Sequence, residues 1–186
     1  MRLCGRLLSI SCLVLAFAAP AAQAQDERFG IVFHGGTMIP VAQDDNEESG
    51  TAFGLRFPVN TGTFLGFEPY IYMGEGKASS YDFGSGPEER EGIDVTSWGA
   101  NISFGRLVRS DKFHIAPLLG IGNNTLHRES GEISKIGYNA GLELGISPGR
   151  MMINLRGEMN MVDIGESSRK WGLVSLGLGY RVTPNF

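Results

Sequence analysis

A chain of 186 residues with 16 basic and 20 acidic residues, net charge −4, is long enough for one domain and lacks the basic surplus that a nucleic-acid partner favours. Its only cysteines are Cys4 and Cys12, which excludes disulfides and thiolate metal sites from everything that follows them. Glycine, at 27 residues, reaches about twice its usual ~7% share, although it packs nothing in an ordinary strand.

The N-terminus predicts a secretory leader. Arg2 and Arg6 precede the apolar run Leu7 to Ala19, and Ala22-Gln23-Ala24 supplies the small-x-small pattern of a cleavage site, giving a signal peptide over residues 1–24 and a mature domain over 25–186. Loss of the two arginines takes the basic count from 16 to 14 against 20 acidic residues, a net charge of −6. No segment approaches the ~20 consecutive apolar residues of a transmembrane helix.

The mature chain alternates in twos. Phe29, Ile31 and Phe33 face away from Gly30, Val32 and His34. A second run sets Phe53, Leu55, Phe57 and Val59 against Gly54 and Arg56. The third sets Leu65, Phe67, Ile71 and Met73 against Gly66, Glu68, Tyr70, Tyr72 and Gly74, and the fourth Trp98, Ala100, Ile102 and Phe104 against Gly99, Asn101, Ser103 and Gly105. Phe113, Ile115, Leu119 and Ile121 oppose His114, Ala116, Gly120 and Gly122 in the fifth. In the sixth, Tyr138, Leu142, Leu144 and Ile146 oppose Asn139, Gly141, Glu143 and Gly145. The seventh places Met151, Ile153, Leu155, Met159 and Met161 against Asn154, Arg156, Glu158 and Asn160. The eighth, "LGLGYRV", places Leu176, Leu178, Tyr180 and Val182 against Gly177, Gly179 and Arg181. Eight segments of about nine to eleven residues match the length of tilted membrane-crossing strands.

Odd-numbered connections are long and polar, whereas "NTGT", "RSDK" and "SPGR" are tight. That segregation fits a barrel with short periplasmic turns and longer outer loops. The glycine-bearing face also holds Arg56, Glu68, Glu143, Arg156, Glu158 and Arg181, while the other face is apolar over its centre. Lipid outside and a filled polar lumen follow, with these six residues as an ionic network. Glycine then has a use, since an eight-stranded barrel is only wide enough for side chains. The expected fold is all-β, an eight-stranded antiparallel up-and-down transmembrane barrel closed by pairing of the last strand with the first. A soluble lipocalin-like barrel is the alternative, though it would place its large apolar residues inside.

In signal peptide, strand pattern, loop lengths and the ending "GLGYRV" to Phe186, the chain resembles the small OmpA/OmpX-like outer-membrane proteins. The resemblance implies a bacterial outer-membrane location and an assembly signal at Tyr180, Val182 and Phe186, read by the barrel-assembly machinery. Pro184 cannot donate a ladder hydrogen bond, which leaves the register of residues 184–186 open. Aromatic girdles are expected at both interfaces, with Phe29, Phe57, Phe64, Phe104, Phe113, Tyr180 and Phe186 on the periplasmic side and Trp98, Tyr138 and Trp171 on the outer side.

Candidate chemistry is confined to loops. His127, Glu129 and Ser130 have the residue types of base-activated nucleophilic attack, which would suit a lipid A-modifying enzyme. Asp44, Asp45, Glu47 and Glu48 could supply oxygens to a hard cation that bridges lipopolysaccharide, or simply form a solvated acidic loop. The reading is a monomer without cofactor or catalytic activity, acting structurally or through its surface loops in adhesion, membrane integrity or surface binding. Its expected partners are outer-membrane lipid and lipopolysaccharide.

Overall fold

The computed structural model describes residues 28–41, 48–60, 65–77, 79–82, 87–90, 92, 94–104, 113–128, 131–165 and 168–182. Its strands in chain order are β1 (Arg28–Pro40), β2 (Gly50–Arg56), β3 (Val59–Asn60), β4 (Leu65–Gly74), β5 (Ser79–Asp82), β6 (Pro87–Arg90), β7 (Asp94–Phe104), β8 (Phe113–Arg128), β9 (Gly131–Ile146), β10 (Met151–Asp163) and β11 (Ser168–Arg181). Strand β3 keeps the register of β2 against β1, so the two form one barrel strand. The ladder breaks at Phe57-Pro58 because Pro58 has no N–H to donate, although its carbonyl still accepts from Gly30 N at 2.9 Å. With β5 and β6 paired as a separate hairpin, eight antiparallel barrel strands remain.

Closure is made by β1 and β11, paired from Gly30↔Arg181 to Pro40↔Trp171. Val182 N extends the seam by donating to Phe29 O at 2.8 Å. The sequence alternation sorts as expected. Phe33, Phe53, Leu119, Leu142, Leu155, Leu176 and Leu178 are exposed on the outside, while His34, Arg56, Glu68, Asn101, Glu143, Arg156 and Glu158 are buried inside.

Three expectations are corrected. The segment "NTLHRESGEISK" after the fifth strand is not a loop in its described part: β8 runs to Arg128 and β9 starts at Gly131, with Thr125↔Ser134 and His127↔Glu132 paired across them. The alternation continues there, Leu126 facing in and buried, but polar outward residues hide the pattern. Trp171 does not join the outer girdle; it is 4% exposed, and its Nε1 donates to Tyr72 Oη at 3.0 Å. Finally, the lumen is polar only in part. Its outer half is an apolar core in which Met38, Val95, Leu126, Val162, Trp171 and Leu173 pack around Tyr70 and Tyr72.

Glycine makes this filling possible by close approach. A Cβ at Gly177 would fall on Asn154 Oδ1 and lie 2.6 Å from the His34 ring. At Gly149, in the turn between β9 and β10, φ is +65°, a backbone conformation that favours glycine. Outward-facing Gly157, by contrast, has nothing within 4 Å of such a Cβ. Gly177→Val should therefore cost about 1–3 kcal/mol by overpacking, while Gly157→Ala is neutral or stabilising by up to about 1 kcal/mol. Urea unfolding of the detergent-folded barrel measures both.

Candidate functional site

The lumen is where the strands bring chemistry together. Glu68 on β4 stands beside Asn101 on β7, and Arg156 on β10 stands between Glu143 on β9 and Ser175 on β11. Arg56 reaches in from the end of β2, where Val32 and Tyr70 are its neighbours. Each side chain points inward because the strand period of two leaves it no other face.

Their charges alternate in a chain across the barrel. Arg156 Nε lies 3.5 Å from Glu143 Oε2, and Arg156 Nη1 lies 2.6 Å from Glu68 Oε1. Glu68 Oε1 is also 3.3 Å from Arg56 Nη1, and Arg56 pairs through Nη2 with Glu158. Asn101 Nδ2 donates to Glu68 Oε1 at 3.1 Å. His114 Nε2 lies 2.9 Å from Glu143 Oε1, and the Arg56 guanidinium sits 5.9 Å from the Tyr70 ring centroid, within cation–π range. Arg156 is only 1% exposed.

Five of the six residues read as a lumen network thus meet. Arg181 is half-buried at the foot of β11 opposite Gly30. His114 joins the chain at its Glu143 end. His34 bonds Ser175 Oγ through Nδ1 at 3.3 Å instead. The apolar outer core escaped the sequence reading, although Trp171 shares strand parity with Leu173 and Ser175 and so belongs inside with them.

Of the loop candidates, only His127 and Glu48 fall among the described residues. His127 Nδ1 bonds Glu132 Oε1 at 3.0 Å and its Nε2 lies 3.2 Å from Thr96 Oγ1; Glu129 and Ser130 lie outside the described residues. Glu48 forms a backbone bridge with Lys77, and Asp44, Asp45 and Glu47 are outside them too. Among the described residues, no group of three or more His, Asp or Glu side chains is placed to hold a metal. Of the expected assembly signal, Tyr180 and Val182 lie exposed on the outer face. Tyr180 Oη accepts from Arg150 Nη1 at 3.3 Å; Phe186, like residues 1–24 read as a signal peptide, is outside the described residues.

The outer face completes the picture. On β11 the outward run from Gly172 to Val182 covers roughly 33 Å of strand, or roughly 25 Å in depth at a tilt of about 40°. That is the height of a lipid-facing band. Phe29 and Phe57 stack at its lower edge, ring centroids 6.5 Å apart.

A closed antiparallel barrel with an apolar exterior and a buried ionic interior defines a transmembrane β-barrel protein. The sequence model of the outer membrane protein beta-barrel domain matches residues 9–182, and the chain belongs to that family, whose place is the bacterial outer membrane. Its solved likenesses agree. Neisserial surface protein A is 10% identical with a TM-score of 0.57, over 83% of this chain and 96% of that one. A major outer membrane protein of Thermus thermophilus is 13% identical with a TM-score of 0.53, over 84% and 100%. The Yersinia pestis outer membrane protein Ail in a bilayer nanodisc is 17% identical with a TM-score of 0.50, over 83% and 99%. At such identities the likeness is one of fold. No curated protein matches the chain.

Removing one member of the ionic chain leaves its partner charged and buried. Arg156→Ala should cost about 3–5 kcal/mol, and Arg156→Met combined with Glu68→Gln distinctly less. A loss for the double variant equal to the sum of the Arg156→Met and Glu68→Gln losses in urea unfolding would show that the two side chains are energetically independent.

Proposed function

We propose that the protein acts at the cell surface as a contact protein, with the filled barrel as its anchor and the β8–β9 hairpin as its reaching element. One observation carries this reading. Strand β9 pairs with β10 only as far as Gly137↔Val162, so among the described residues Gly131 to Ile136 pair with β8 alone. All six are exposed.

A strand paired on one side offers its other row of N–H and C=O groups to an incoming strand. The fitting partner is an extended peptide segment of another surface protein, held mainly by main-chain hydrogen bonds. Glu132 and Lys135 on this edge discourage indiscriminate pairing, because charged edge residues oppose association between identical strands. The lumen plays no part in contact; its packing keeps the barrel shut and preserves the membrane as a barrier.

Replacing residues 127–132 with an Asn-Gly turn, a sequence suited to two-residue hairpin connections, keeps the buried Leu126 and removes the projecting tip with the first two of the six edge residues. Cells displaying the shortened barrel should retain its heat-modifiable gel mobility and lose roughly tenfold in adherence to protein-coated surfaces, a loss of about 1.4 kcal/mol. Undiminished adherence by a correctly folded shortened barrel would refute the reading.

A further inference from the structure

Above the apolar band, the outward face of β7, β8 and β9 changes its chemistry row by row. Register sets Ala100, Ile121 and Tyr138 side by side near the top of the band. The next row outward is Trp98, Asn123 and Ile136, then Thr96, Thr125 and Ser134, and finally Asp94, His127 and Glu132. Successive rows are roughly 7 Å apart along the strands and about 5 Å apart in depth. Three rows therefore span about 10 Å in depth, so the first falls within a headgroup layer about 5–8 Å thick and the next two stand outside it.

The face is a hydrogen-bonded sheet with side chains already engaged laterally. Thr125 Oγ1 and Ser134 Oγ share a hydrogen bond of 2.5 Å, and Thr96 Oγ1 meets His127 Nε2 at 3.2 Å. Hydroxyls of this kind can donate and accept at once. Below them Trp98 and Tyr138 are 43% and 62% exposed, presenting aromatic surface beside the Asn123 amide. Above them Asp94 and Glu132, both exposed, disfavour direct contact with a phosphate.

Aromatic surface, a row of hydroxyls and an amide match the C–H faces and hydroxyl groups of a sugar better than a phosphate ester. We propose that this wall docks the saccharide headgroup of the glycolipid in the outer leaflet, in continuity with the lipid-facing band below it. The inference rests on the outer-membrane placement of the barrel and is separate from the use of the β9 edge.

The full barrel is placed in three kinds of nanodisc: phospholipid alone, phospholipid with lipopolysaccharide carrying its inner-core sugars, and phospholipid with phosphatidic acid. Amide resonances of Thr96, Asn123, Thr125 and Ser134 should shift with lipopolysaccharide and remain in place with phosphatidic acid. Trp98 is the only tryptophan left in Trp171→Phe, and its quenching by acrylamide should fall by roughly half with the glycolipid, as stacking against a sugar covers the indole. Thr125→Val combined with Ser134→Ala should reverse much of that protection. Equal responses to lipopolysaccharide and phosphatidic acid, or shifts confined to the Tyr138 row, would overturn the proposal. If Trp171→Phe does not fold, the resonances of the unmodified barrel decide alone. Adherence of the shortened-hairpin cells is measured apart, so either reading can fail without the other.

Discussion

Closure of β1 against β11 is the constraint on which everything else depends. In hydrocarbon there is no water to take up an unpaired N–H or C=O, and each orphan costs several kcal/mol. The seam from Gly30↔Arg181 to Pro40↔Trp171 removes the two open edges that an eight-stranded sheet would otherwise present to lipid. Once closed, the barrel has a fixed bore. A bore of eight strands admits side chains and little else, so the interior becomes a packing problem solved residue by residue.

Two solutions are stacked along the axis. Lower in the barrel, Glu143, Arg156, Glu68, Arg56 and Glu158 are linked in order by ion pairs, each carboxylate lying against at least one cation. Burying such charges gains little over a well-packed apolar interior, but it makes every member dependent on its neighbours. Toward the outside, Trp171, Leu126, Val162 and Met38 close the bore with apolar packing. The two layers differ in what they exclude: the first resists rearrangement because its charges would be stranded, and the second resists water because large apolar side chains close it around the buried Ser97, Asn124 and Asn160. A lumen built this way supports a barrier and an anchor rather than a conduit.

Much of this was legible because a barrel strand has one simple period. Alternation alone separated lipid-facing Leu176 and Leu178 from lumenal Gly177, and the charges on the glycine face identified five residues that do come together. The departures have physical causes. Trp171 was misassigned because an aromatic near a strand end suggests an interface, yet parity with Leu173 outranks residue type once the strand is continuous through both. The β8–β9 extension was hidden by polar residues: outside the membrane a strand no longer needs an apolar outward face, so Thr125 and Ser134 can belong to a ladder while resembling a loop. The break at Phe57-Pro58 follows from Pro58, but β3 recovers the register only because β1 and β4 hold it on both sides. Contacts across the lumen, such as Arg56 with Glu158, depend on which strands stand opposite, and no local pattern encodes that.

The outer extension shows what the same period does when its solvent changes. Within the membrane the outward side of β9 must be apolar and its backbone must be paired on both sides. Beyond Gly137 both demands lapse: after Ile136 the outward face of β9 turns to the Ser134 hydroxyl and then to the Glu132 charge, and β10 no longer accompanies the strand. The freed edge can then remain unpaired because water satisfies its N–H and C=O groups, at the cost of offering them to any other strand. Glu132 and Lys135 limit that offer without withdrawing it, since their charges oppose identical neighbours more than a partner of complementary charge. The part of the molecule proposed to make contact is therefore the part released from the constraint that shapes the rest.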